Sequence, residues 1–370
     1  MEGPRDSDMH LLTRADPASE FVCPPEEATF VDICRARAAA QGAQNIFTFL
    51  EEDGESALTY AELDAGARAV AALLQGHLVP GERALLLHPP GREYVLAFLG
   101  CLYAGVVAVP AYPPDPMRLG RTLPRLQALV ADCGARVVLT TSGIAGLAEP
   151  LTADAPDLRA LHWLATDAVR ESEADAWRPP ALRGDTVAFL QYTSGSTGTP
   201  RGVVLKHRHL LHNSGLILRG FDTTPWPASV CWLPPFHDMG LIGCILQALV
   251  RDAPTALLPP LSFLQRPLRW LEAVSRFGAT VSGAPNFAFD LCVRKSTLQE
   301  RAALDLSRWE VAFCGAEPVR AQTLERFAEA FAPAGFRPEA LYPCYGLAEG
   351  TLIVSGGKRA AAPVLRRFSR

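Results

Sequence analysis

From Ala28 onward the chain alternates short apolar runs with segments whose apolar residues recur at helical spacing. The runs Ala84–Leu87, Val106–Val109, Arg136–Thr140, Thr186–Gln191, Val230–Leu233, Ala279–Ser282 and Trp309–Cys314 read as buried strands. Between them, Tyr60–Leu74, Leu123–Cys133, Leu268–Phe277 and Val319–Phe331 read as helices. Parallel strands need long crossovers, usually helical, so this alternation predicts an α/β protein with layered, largely parallel sheets flanked by helices. The uncharged stretch Tyr94–Pro114 is long enough to span a bilayer, but Gly100, Gly105, Pro110, Pro113 and Pro114 interrupt it. It reads as a buried helix to about Ala104, a core strand Val106–Pro110 and a turn, and no membrane span is predicted.

Breaks between Trp177 and Gly184 predict a boundary, with one α/β subdomain over 28–180 and a second over 185–355 holding a nucleotide site. Residues 1–27 lack the apolar core of a signal peptide and read as a flexible leader. Residues 356–370 carry Lys358, Arg359, Arg366, Arg367 and Arg370 without an acid, and read as the solvated start of an element left incomplete. At 370 residues, with 49% hydrophobic and 20% charged content, the chain is an ordinary globular protein with room for more than one unit. Its net charge of −4 gives no electrostatic reason to expect nucleic acid. The nine cysteines are scattered without a CxxC pair, which suits free buried thiols in a reducing cytoplasm and argues against zinc.

Candidate chemistry centres on Tyr192–Gly202, YTSGSTGTPRG, between apolar runs. Its glycines let successive N–H groups point into one concavity that suits an anion, its hydroxyls add donors, and Arg201 adds a permanent planar cation. A Ser/Thr/Gly-rich surface linker is the bland alternative, against which the flanking strands argue. Neither the Walker pattern nor G-x-G-x-x-G is present.

Weaker constellations follow. In Trp232–Gly243, WLPPFHDMGLIG, Asp238 is placed to cap a helix starting near Met239, and His237 suits either a satisfied core histidine or the border of a site for an apolar acid. Gly283–Asn286, GAPN, ends a strand before an apolar helix, as the wall of a hydrophobic slot or merely a helix start. Cys314–Pro318, CGAEP, is a tight strand-to-helix turn whose small residues also suit a flat base. Tyr342–Thr351, YPCYGLAEGT, holds one acid, Glu349; a lone Glu is usually solvent-facing, yet one carboxylate suffices for a nucleotide-bound Mg²⁺.

Together, in this order, these motifs resemble the fatty-acyl-AMP ligases, a branch of the adenylate-forming superfamily. The similarity extends through Leu85–Pro114 and Phe263–Phe277 and leaves out only about the first 25 residues. One departure is Arg201, where the family usually has Lys. The resemblance implies that Thr193, Ser194, Gly195, Ser196, Thr197, Gly198 and Arg201 hold the triphosphate of ATP. It implies that Gly315, Ala316 and Glu317 line the adenine pocket with Tyr345 and Gly346 beside it, and that Glu349 binds Mg²⁺. His237 then lies between the acyl channel and the reacting carboxylate, and Ala348 stands where most of the superfamily has a hydroxyl residue.

The implied reaction joins a fatty acid to ATP as acyl-adenylate, releases pyrophosphate, and precedes transfer to an acyl carrier protein. A fatty carboxylate is already ionised at neutral pH, so no general base is required. The family continues into a segment with a ribose-binding aspartate and a small domain with a catalytic lysine. Neither can be matched here, so the chain is expected to be the N-terminal portion. The alternatives are an acyl-CoA ligase and a non-catalytic remnant that binds nucleotide.

Overall fold

The computed structural model describes residues 27–52, 54–113, 119–153, 155–193, 200–221 and 228–366. Along the chain the strands are β1 (Asn45–Leu50), β2 (Glu55–Thr59), β3 (Arg83–Leu86), β4 (Val107–Pro110), β5 (Val137–Thr140), β6 (His162–Ala165), β7 (Val187–Thr193), β8 (Arg201–Lys206), β9 (Ser229–Cys231), β10 (Thr255–Leu257), β11 (Val281–Ala284), β12 (Val311–Cys314), β13 (Leu341–Gly346) and β14 (Ile353–Gly356). They form two sheets, and the chain divides into two compact units: Met1–Gln44 with Leu58–His212, and Asn45–Ala57 with Asn213–Arg370. The α/β class with largely parallel sheets read from the sequence is the class found.

The sheet of the first unit runs β6-β5-β3-β4-β7-β8, with parallel pairs throughout except the antiparallel β7–β8 hairpin. Its core includes the helix Arg92–Ala104, buried from Tyr94 through Ala104 except at one half-buried position. A helix apolar on every side can be accommodated only in this way. That helix and β4 account for the uncharged stretch, and among the described residues no helix is long and apolar enough to cross a membrane. The helix Tyr60–Gln75 starts in a capping box, with Thr59 accepting from the Glu62 N–H and the Glu62 carboxylate bonding back to Thr59.

The division falls at His212, inside the helix His207–Phe221, rather than in the Pro-rich stretch Trp177–Gly184. That stretch is bonded into the first unit. The Trp177 indole donates to Tyr103 O at 3.0 Å, and Gln75 exchanges hydrogen bonds of 2.6 and 3.0 Å with the Arg178 backbone. The composition of a linker therefore conceals a docked segment. The segment Asn45–Ala57 also departs from the linear division, since β1 pairs with β10 in the second sheet, Phe47 opposite Thr255.

The second sheet runs β14-β13-β12-β11-β9-β10-β1-β2. The pairs from β13 to β1 are parallel, and β14 is antiparallel to β13. Trp232, Trp270 and Trp309 lie in its core, and the last two are fully buried and hydrogen-bonded. Trp270 donates to the Ser282 hydroxyl at 2.7 Å, Ser282 donates to Val230 O at 2.6 Å, and Trp309 donates to Val311 O at 3.0 Å. These bonds satisfy the N–H groups of Trp270 and Trp309 and tie β9 to β11, so those two rings can be fully buried without an orphaned donor.

Candidate active site

In the first unit, the β7–β8 hairpin runs in register from Phe189 with Leu205 to Thr193 with Arg201, after a register shift between Val187 and Phe189. The phosphate-loop residues Ser194, Gly195, Ser196, Thr197 and Gly198 lie outside the described residues. The neck of that loop is described: Thr193 is half-buried and Arg201 is exposed. Tyr192 faces Gly202 across the hairpin, and a Cβ at Gly202 would lie 2.9 Å from the ring. The Tyr192 hydroxyl donates to the Asp132 carboxylate on the helix Leu119–Cys133. Burial, then the bond to Asp132, pushes the phenol well above its ordinary pKa. Gly202 is thus a close-approach glycine that lets an anchored ring lie across the neck.

In the second unit, β9 has β10 on one side and β11 on the other. Successive crossovers diverge there, which opens a crevice outside the carboxyl ends of the strands at a topological switch point. Because β9, β11, β12 and β13 are parallel, His237, Asn286, Gly315–Glu317 and Glu349 follow strand ends on this one edge, and Tyr345 and Gly346 close β13 there.

His237 itself caps the turn Asp238–Gly240, so the cap falls one residue earlier than the sequence suggested. Its Nδ1 lies 2.6 Å from Asp238 Oδ1, which also accepts the Met239 N–H at 2.6 Å. Nδ1 lies 3.3 Å from the same Met239 nitrogen, but one ring nitrogen cannot both donate to Asp238 and accept from Met239. The shorter, charge-assisted bond wins, so Nδ1 carries the proton. Asp238 raises the imidazole pKa, first through the hydrogen bond and then, against partial desolvation, through its charge. Beyond Gly240 the helix continues through a π-helical stretch, Leu241–Leu246.

The GAPN and CGAEP loops interlock. Glu317 accepts the Phe287 N–H at 2.6 Å, and buried Asn286 accepts the Arg320 N–H at 2.9 Å. Just before Glu317, Ala316 adopts φ 65°, a left-handed conformation unusual for a residue with a Cβ. Gly315 is buried, and Ala316 and Glu317 are exposed. Beside them Trp232 stacks on Phe263 with centroids 3.7 Å apart, and Phe287 stands edge-on to both. Phe287 is 42% exposed, and Leu261 and Leu264, just after β10, are 61% and 56% exposed. This edge therefore presents an apolar wall next to polar turns.

Tyr345 is exposed on β13. A Cβ at Gly346 would meet Leu352 O at 2.0 Å, so that position also requires glycine. Glu349 sits in the 3₁₀ turn Ala348–Gly350, exposed and without a hydrogen bond or ion pair among the described residues, while Ala348 is buried beneath it. No three His, Cys, Asp or Glu side chains gather as a metal cluster among the described residues. A nucleotide-bound Mg²⁺ takes one or two carboxylates and completes its shell with phosphates and water, so unpartnered Glu349 fits that need.

The family model for AMP-binding enzymes matches residues 34–366. The chain belongs to that family. Among its relatives, the medium-chain-fatty-acid–acyl-carrier-protein ligase JamA of Moorena producens is 45% identical, over 90% of this chain and 57% of the relative. The long-chain-fatty-acid–AMP ligase FadD32 of Mycolicibacterium smegmatis is 37% identical, over 94% of this chain and 56% of the relative. A crystal structure of a fatty acyl-adenylate ligase from L. pneumophila, in complex with acyl adenylate and pyrophosphate, superposes with TM-score 0.85 at 42% identity. That match covers 90% of this chain and 58% of the other. Within the AMP-binding family the similarity is thus to fatty-acyl-AMP ligases, and the chain spans little more than half the length of these relatives.

For an AMP-binding enzyme the expected residues fall into two groups. Thr193 and Arg201 belong to the first unit, and His237, Gly315, Ala316, Glu317, Tyr345, Gly346 and Glu349 gather at one sheet edge of the second. Sequence reasoning missed the Tyr192–Asp132 anchor, the Asn286 and Glu317 bonds, and the stack on Trp232. The aromatic-proline run before His237 hinted at the stack. Nothing in the sequence marked the pairing of Tyr192 with Asp132.

Proposed function

We propose that the chain activates a fatty acid as its acyl-adenylate, with release of pyrophosphate from ATP, for delivery to the thiol of an acyl carrier protein. The observation that carries this reading is the edge of the second sheet, where an aromatic and aliphatic wall adjoins the polar strand-end turns. An alkyl chain suits the wall, and a flat base suits the small residues Gly315 and Ala316 beside exposed Tyr345. The carrier protein as acceptor rests on the names of two relatives, JamA and a ligase of Teredinibacter turnerae, both acyl-carrier-protein ligases.

The fatty carboxylate, ionised at neutral pH, is itself the nucleophile toward the α-phosphorus. His237, with Asp238 favouring its cationic form, orients that carboxylate. Arg201 supplies charge for the phosphates, and Gly315, Ala316, Glu317, Tyr345 and Gly346 receive the adenine. Thr193 and the loop Ser194–Gly198 supply hydroxyls and N–H groups to the triphosphate. Glu349 holds Mg²⁺, which when bound neutralises phosphate charge. Fatty-acid-dependent exchange of pyrophosphate into ATP tests this reading. Glu349→Gln should abolish exchange while leaving thermal unfolding unchanged, and exchange retained in that variant would refute the metal role.

A further inference from the structure

Asn213 lies in the helix His207–Phe221 and is 3% exposed. Its side-chain amide donates to Gly350 O at 3.1 Å and to Ile353 O at 2.9 Å, and its Oδ1 accepts the Ile353 N–H at 3.1 Å. These are three of the four hydrogen bonds such an amide can make. They grip both ends of the segment that follows Glu349. Within that segment Thr351 has φ 73° and ψ −59°, strained for a β-branched residue. The turn is closed by Leu347 N–H to Leu352 O at 3.0 Å and Thr351 N–H to Ala348 O at 2.9 Å.

We infer that Asn213 is a positioning residue for Glu349. The Glu349 carboxylate has no bond of its own among the described residues, so the fold controls only where its Cα and Cβ sit, and the backbone of the turn that carries it sets both. A turn containing a strained threonine keeps its shape only if surrounding contacts over-determine it. The buried amide of Asn213, distant in sequence, provides that constraint. It therefore stands to Glu349 as an outer-shell hydrogen-bond partner stands to a metal ligand, and loss of such partners commonly weakens metal affinity about 10–100-fold.

The inference rests on the reading that Glu349 serves a nucleotide-bound Mg²⁺, and the test separates the two. Asn213→Asp has nearly the same shape and still accepts the Ile353 N–H, but it turns a carboxylate oxygen toward two carbonyls. In fatty-acid-dependent ATP–pyrophosphate exchange by the 370-residue chain, it should raise the half-saturating Mg²⁺ concentration about tenfold. The KM for the fatty acid should stay unchanged. Glycine adopts positive φ without strain, so Thr351→Gly should restore part of the Mg²⁺ affinity lost in Asn213→Ala. Independently of activity, amide hydrogen exchange at Gly350–Ile353 should accelerate in Asn213→Ala, with β11 and β12 unaffected. Unchanged Mg²⁺ dependence in Asn213→Asp, or unchanged exchange at those amides in Asn213→Ala, overturns the inference. If the unsubstituted chain shows no pyrophosphate exchange, the functional reading fails, and the amide measurement alone decides the role of Asn213.

Discussion

Substitution of Gly202 tests how the neck of the phosphate loop is held. A methyl at Gly202 would start 2.9 Å from the Tyr192 ring and 3.1 Å from two further atoms of that side chain. Contacts this short force the ring aside, and overpacking of this kind costs about 1–3 kcal/mol. A displaced ring also loses its hydroxyl bond to Asp132, which is exposed, so that loss adds about 1 kcal/mol or less. Gly202→Ala should therefore destabilise by about 2 kcal/mol, a fall of about 4–8 °C in Tm for a unit of this size. It should also weaken ATP binding, because Arg201 and Thr193 pair across the same neck. Tyr192→Ala removes the obstacle, so adding Gly202→Ala to that background should cost under about 0.5 kcal/mol. Differential scanning calorimetry and titration calorimetry with ATP measure both effects. Equal cost of Gly202→Ala in the two backgrounds would refute the reasoning.

The remaining predictions concern the second unit. Because Asp238 raises the His237 imidazole, the ion pair stabilises fully below the unfolded value near ~6.5 and is lost as pH rises through the higher folded value. Asp238→Asn should accordingly move any alkaline rise in fatty-acid KM to lower pH, which a pH profile of exchange activity checks. Gly346→Ala places a methyl against Leu352 O and should abolish ATP binding while leaving the β11–β12 amides protected, as hydrogen exchange would show. Phe263→Ala removes a fully buried ring beneath Trp232 and should cost about 3–5 kcal/mol in urea unfolding. Phe287→Ala, at an exposed ring, should leave Tm nearly unchanged and raise the KM for fatty acids relative to that for ATP.

The buried strands were legible because a strand covered on both faces reads as an uninterrupted apolar run, as in β3, β4, β5 and β12. The run ending at Ser282 lies slightly early, and β11 spans Val281–Ala284. Strands without that signature were missed: β10 has only three residues, β14 is largely exposed, and β1 owes its place to pairing with β10 far along the chain. The domain boundary was misplaced because a Pro-rich surface segment and a linker share one composition, while Trp177 and Arg178 bond into the first unit. Among the candidate residues, the glycines and lone charges after strand ends were visible as motifs. The groups that fix their geometry, Asn213, Asn286 and Asp132, are ordinary polar residues whose partners are remote in sequence. No local pattern distinguishes them from solvated side chains.

The most direct test of the account is single-turnover acyl-AMP formation by this chain, with labelled ATP, Mg²⁺ and a saturating fatty acid at enzyme in excess over ATP. The account predicts label in acyl-AMP that depends on the fatty acid and disappears in Glu349→Gln. Label recovered wholly as ATP, with no retention of nucleotide on the protein, would contradict it.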